Sequence, residues 1–143
     1  MRASSILTAS ASLLSLAQAR IIGIGVPSTI KPGDTFDLII GTEGYIQPVT
    51  DVAVAVGYTA GPGPFGDSLG TFITAFDLVD ESNDPTNYTK SVTLPATAEA
   101  GASNFTASLT SLYGVYSAPS LIPFSVSFTI GNETSTTYVY GGL

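Results

Sequence analysis

Asp51–Val52–Ala53–Val54–Ala55–Val56–Gly57–Tyr58 sets three valines at alternate positions with alanines between them. A period of two is that of a β-strand, whose successive side chains point to opposite faces of the sheet. Valine on one face and alanine on the other describe a strand buried on one side and closely covered on the second. Such a strand belongs in the middle of a sheet.

Outward from it, the chain repeats the pattern in short runs. Ile21 to Val26 is a first strand, stopped at Pro27, and Lys31–Pro32–Gly33–Asp34 is a tight turn. Phe36, Leu38 and Ile40 alternate next. Beyond the valine run, Thr59 to Asp67 carries two prolines and three glycines and reads as a surface loop. Leu69 to Leu78 returns as a strand with Phe72, Thr74 and Phe76 on one face. Tyr88, Lys90, Val92 and Leu94 alternate, then Pro95 ends the run. Ala96 to Gly101 has room for one helical turn. Phe105, Ala107, Leu109 and Ser111 form a further strand, and a loop from Tyr113 to Pro123 leads to Phe124, Val126, Phe128 and Ile130. Thr136 to Tyr140 is a weak edge strand. These elements predict an all-β immunoglobulin- or fibronectin-like sandwich of seven to eight antiparallel strands in one domain, residues 20–143. A domain of this size buries about two-thirds of its unfolded surface, enough to fold without cross-links.

The start of the chain reads differently. Met1–Arg2, the apolar run Ile6 to Leu16 and Ala17–Gln18–Ala19 are the three parts of a secretory signal peptide, residues 1–19. Cleavage is expected after Ala19, and the apolar run is too short to span a bilayer, so no membrane insertion is expected.

Composition removes whole classes of chemistry. There is no Cys and no His, hence no disulfide, no thiolate nucleophile and no imidazole base or metal ligand. The formal net charge is −7, and Arg2, Arg20, Lys31 and Lys90 are the only basic residues. No basic stripe exists to neutralise phosphates, which excludes nucleic-acid partners. A glycosidase needs two acids about 5 to 10 Å apart in a cleft, and the acids here fall in turns or outward positions. No catalytic residue and no cofactor are expected, and the chain is expected to be monomeric. Asp77, Asp80, Glu81, Asn83 and Asp84 gather oxygens in one stretch but lack the order of an EF-hand. They read as a solvated acidic loop.

Three stretches have the Asn-x-Thr form of a glycosylation acceptor, at Asn87, Asn104 and Asn132. Tyr45, Phe65, Tyr113 and Tyr116 fall in loops, where aromatic residues anchor protein interfaces. They are the candidate partner-binding residues. A sugar-stacking platform is the weaker reading, because there is no Trp.

Several segments together resemble the necrosis-inducing secreted protein (Nis) family of fungal effectors. They are Ala19–Arg20–Ile21–Ile22–Gly23, Pro32–Gly33–Asp34–Thr35–Phe36, the run from Gly44–Tyr45–Ile46–Gln47–Pro48 through Asp51–Val52–Ala53 to Gly57, Leu69–Gly70–Thr71, and Ala107 to Gly114 with its Ser111–Leu112–Tyr113–Gly114. The resemblance implies a secreted, non-enzymatic effector that damps plant pattern-triggered immunity by acting on receptor-associated plant protein kinases and induces cell death when over-produced. It carries over no catalytic residue. The competing expectation is a passive glycan-binding or coating module of the fungal surface. On the reading of the acidic loop, thermal melts with and without Ca²⁺ should give the same midpoint; a rise with Ca²⁺ would show a metal site at Asp77–Asp84.

Overall fold

The computed structural model describes residues 18–142, so the expected leader lies outside them except for Gln18 and Ala19. Nine strands occur among the described residues: β1 (Ala19–Pro27), β2 (Thr29–Ile30), β3 (Thr35–Gly44), β4 (Val49–Ala60), β5 (Thr71–Asp77), β6 (Tyr88–Thr93), β7 (Gly101–Tyr113), β8 (Ala118–Ile130) and β9 (Tyr138–Gly141). They form two sheets, of order β6-β3-β1-β9 and β2-β8-β7-β4-β5. The all-β two-sheet sandwich expected from the sequence is thus the fold. One pairing is not antiparallel: β2 runs parallel to β8 over two residues.

The valine strand sits between β7 and β5, as its composition requires. Its alternation is not continuous, however. Asp51 pairs with Ser111 and Ala53 with Thr110, leaving Val52 as the extra residue of a bulge. A bulge shifts the face of everything beyond it by one residue. Val54, Val56 and Tyr58 point inward on one side of it, and Val49 and Asp51 on the other. A second irregularity, opposite Val56 and Gly57, skips Ile73 of β5. Phe76 and Ile73 therefore pack on the core while Phe72 is 60% exposed, which corrects the expectation that Phe72 and Phe76 share a face.

Three boundaries also move. Thr59 and Ala60 belong to β4, not to the loop. The helical turn expected at Ala96–Gly101 is instead a connection closed by Ala98 N–H donating to the Pro95 carbonyl (3.0 Å), with Gly101 already in β7, and among the described residues the one helical turn is a 3-10 turn at Val79–Glu81. β8 starts at Ala118 rather than Phe124, so β7 and β8 pair along thirteen positions as one long hairpin. Pro119 and Pro123 are tolerated because over this stretch β8 is a sheet edge, where a missing N–H faces no partner.

The two sheets meet on Phe105, which is fully buried and lies edge-on to Phe36 of the opposite sheet (ring centroids 5.8 Å) and to Phe128 (6.3 Å). Leu38, Ile40, Leu94, Leu109 and Ile130 surround them. On the outer face, the segment 61–70 folds back across β4 and β7. Thr106 Oγ1 donates to the Leu69 carbonyl (2.6 Å), and the Leu69 and Thr71 carbonyls lie 2.6 Å from where a Cβ on Gly57 would stand. Glycine at 57 is what allows this close approach. Gly57→Ala should cost about 1–3 kcal/mol by overpacking, read as a lower urea midpoint. Gly44→Ala, with nothing within 4 Å, should stay within about 0.5 kcal/mol of the parent. Equal midpoints for the two variants would contradict the fold-back.

Candidate functional site: an apolar tip built by two connections

Two connections lie side by side at one end of the sandwich. Residues 45–48 cross from β3 to β4, and Gly114–Ser117 turns β7 into β8. Val49 pairs with Tyr113, and Gly114 N–H donates to the Pro48 carbonyl (2.9 Å), which locks the connections together. The turn needs left-handed backbone at Gly114 (φ 69°) and Ser117 (φ 52°). With the backbone so committed, Ile46, Val115 and Tyr116 project into solvent at 93%, 85% and 94% exposure. One tip thus carries three large apolar side chains that the fold leaves unburied.

Beneath them the support is rigid. Tyr45 and Tyr113 stack edge to face (6.0 Å, 87°), and the Arg20 guanidinium lies 4.7 Å from the Tyr45 ring centroid. Arg20 also donates to Glu43 from Nε and Nη2 at 3.0 and 2.7 Å. Such exposed contacts contribute little energy each, but together they fix the orientation of Tyr45. From behind, the segment after the 3-10 turn clamps the start of β4. Ser82 Oγ and Asn83 Nδ2 both donate to the Val49 carbonyl, and Asp51 N–H donates to Ser82 Oγ (2.8 Å).

Asp51 itself is the one buried acid among the described residues, at 2% exposure. The bulge at Val52 turns it inward, where Ser111 Oγ donates to its Oδ1 at 2.6 Å. Burial raises its pKa and the Ser111 hydrogen bond opposes the rise. The buried Tyr88 hydroxyl has no hydrogen-bond partner among the described residues. Burial chiefly, with Asp51, Glu81 and Asp84 adding, holds Tyr88 neutral.

Of the four aromatic candidates, Tyr45, Tyr113 and Tyr116 come together at the tip. Phe65 does not: it is 92% exposed in the 61–70 segment, at the far end of β4. Three of the four acids of the 77–84 stretch are engaged separately. Asp77 Oδ1 accepts from Val79 N–H, Asp84 Oδ1 accepts from Thr86 N–H, and Glu81 pairs with Lys90. A cleft of about 320 Å³ flanks the tip, lined by Arg20, Ile21, Glu43, Tyr113 and Phe124 among others, and its one acid is the Glu43 already held by Arg20. A hollow of about 830 Å³ beside Gly61 and Asn104 has no acid in its lining. These hollows contain no pair of carboxylates and no nucleophile beside a base. Asn87 and Asn132 are exposed and Asn104 is half-buried.

Searching loops for aromatics missed Ile46 and Val115. Their signal was an apolar residue inside a turn, Gly44–Tyr45–Ile46–Gln47–Pro48 and Gly114–Val115–Tyr116, where burial cannot be the reason for it.

The geometry defines a two-sheet sandwich with an apolar tip at one end. The profile of the Nis1 family matches residues 17–129, and the chain belongs to that family. It is 45% identical over 134 residues to "Necrosis-inducing secreted protein 1" of Colletotrichum orbiculare, covering 93% of this chain and 83% of that protein. It is 43% identical to the protein of the same name from Colletotrichum higginsianum, covering 93% of each.

Asp51 generates a pH prediction. A folded pKa raised above the unfolded value means that its contribution is fully present below the unfolded pKa and lost as pH rises through the folded one. Urea unfolding of the parent and Asp51→Asn should therefore diverge with pH. The parent should gain stability relative to the variant as pH falls from 7 through the folded value of Asp51. A pH-independent difference, or one of opposite slope, would contradict a raised pKa.

Proposed function

We propose that this chain is a secreted, non-enzymatic effector that acts by gripping a host protein through the tip formed by Ile46, Val115 and Tyr116. What supports the reading most is that these residues are 85–94% exposed on two connections tied to each other and to the sandwich. A preorganised apolar anchor loses little conformational entropy on binding, which raises affinity without any new contact. Secretion and induction of necrosis follow the names of the two relatives. The host partner, by family resemblance, is a receptor-associated plant protein kinase, whose masking would damp pattern-triggered immunity.

The strand order supports a recognition role by analogy. β1-β3-β6 and β4-β7-β8 follow the A-B-E and C-F-G orders of immunoglobulin-type sandwiches. The tip then occupies the B–C and F–G connections, which carry recognition in variable domains. The absence of cysteine suits a fold that must persist in a reducing compartment as well as outside cells.

The test is a titration of purified receptor-associated kinase domains against the parent and an Ile46→Ser/Val115→Ser/Tyr116→Ala variant. Hot-spot truncations of about 2 kcal/mol or more each predict binding by the parent and a loss of at least about 30-fold in the variant, with the urea midpoint unchanged. Equal binding by both proteins would place the contact elsewhere; absence of binding by the parent would remove the kinase from the proposal.

A further inference from the structure

The three acceptor sequences are alike in sequence but differ in what the fold does with them. We propose that Asn132 and Asn87 carry N-linked oligosaccharide and that Asn104 does not. This rests on the export reading, not on the tip.

Asn132 is exposed in the connection between β8 and β9, and its side chain makes no hydrogen bond among the described residues. The connection is held by its neighbours. Gly131 N–H donates to the Ile30 carbonyl (3.0 Å), and Thr134 Oγ1 accepts from Lys31 N–H (3.0 Å) and donates to Asp34 Oδ2 (2.8 Å). The asparagine is therefore displayed from a fixed loop that a sugar leaves undisturbed. Asn87 is also exposed, and its Oδ1 accepts from Thr42 N–H at 2.9 Å. Glycosylation takes place at Nδ2, so that bond survives it.

Asn104 is the opposite case. It lies within β7, paired on one side with β4 and on the other with β8. Its Nδ2 donates to the Gly61 carbonyl (3.1 Å) and its Oδ1 accepts from Ser127 Oγ (2.9 Å). The Thr106 hydroxyl of the same acceptor sequence is buried under Leu69, whereas Thr134, the hydroxyl of the Asn132 sequence, is also hydrogen-bonded but only half-buried. A sugar on Nδ2 would stand against the Gly61 carbonyl that this nitrogen holds, where the 61–70 segment leaves β4.

In the transfer step, a lipid-linked oligosaccharyl diphosphate of the secretory route supplies the sugar. The anomeric carbon's bond to the diphosphate oxygen breaks as its bond to Nδ2 forms. The lipid diphosphate departs with the electron pair, and one Nδ2 proton passes to base.

The experiment uses full-length protein recovered from the medium of a glycosylating fungal host, so its failure is separate from a failure of export. Digestion with peptide N-glycosidase in ¹⁸O-water converts each sugar-bearing Asn to ¹⁸O-labelled Asp, located by peptide mass mapping. Label at 87 and 132 with none at 104 is expected. Absence of label at 87 or at 132, or label at 104, overturns the assignment.

Discussion

Edge-to-face packing of Phe105 against Phe36 and Phe128 is the contact on which the sandwich depends. No covalent link crosses between the sheets, because the chain has no cysteine. Cohesion between the layers is therefore the burial of apolar side chains, about 1.5–3 kcal/mol for each large one, with aromatic geometry adding specificity. Phe105 is the residue through which both layers are felt. Because it belongs to β7, it also ties the core to the hairpin that ends in the tip.

That coupling gives the molecule its division of labour. β4 and β7 run side by side through the core and end together at Val49 and Tyr113. The core strands thereby set where the two short connections start and finish, and the Gly114 N–H bond to the Pro48 carbonyl holds them to each other. Asp51 lies at the junction. The bulge at Val52 turns it inward under the tip, and its backbone anchors Ser82, which in turn holds the Val49 carbonyl. A polar group buried so close to a surface site costs stability unless it is hydrogen-bonded, and Ser111 supplies that bond.

Most of this architecture was legible in the sequence, because half-buried strands write their burial as a period of two. The valine strand, β3 and β7 read directly. What did not read were the places where the period breaks. The extra residues Val52 and Ile73 invert the inside and outside of their strands, and nothing in local composition announces a bulge. Pro119 and Pro123 looked like breakers, since whether a strand lies at an edge is decided by tertiary pairing, not by the strand itself. At the site, Tyr45, Tyr113 and Tyr116 were found because aromatics in loops stand out. Phe65 was grouped with them because it too is an aromatic in a loop, although chain order alone separates them: the Tyr45 loop precedes β4 and the Phe65 loop follows it, so they leave that strand at opposite ends. Ile46 and Val115 were passed over as ordinary aliphatics.

The central claim is the proposal that a cross-link-free sandwich engages a partner through the tip at one of its ends. Hydrogen–deuterium exchange of the free and partner-bound protein addresses it most directly. The account predicts slowed exchange confined to residues 45–48 and 114–117, with β7 and β4 already protected in both states. Slowing centred on the 61–70 segment around Phe65, with the tip unchanged, would contradict it.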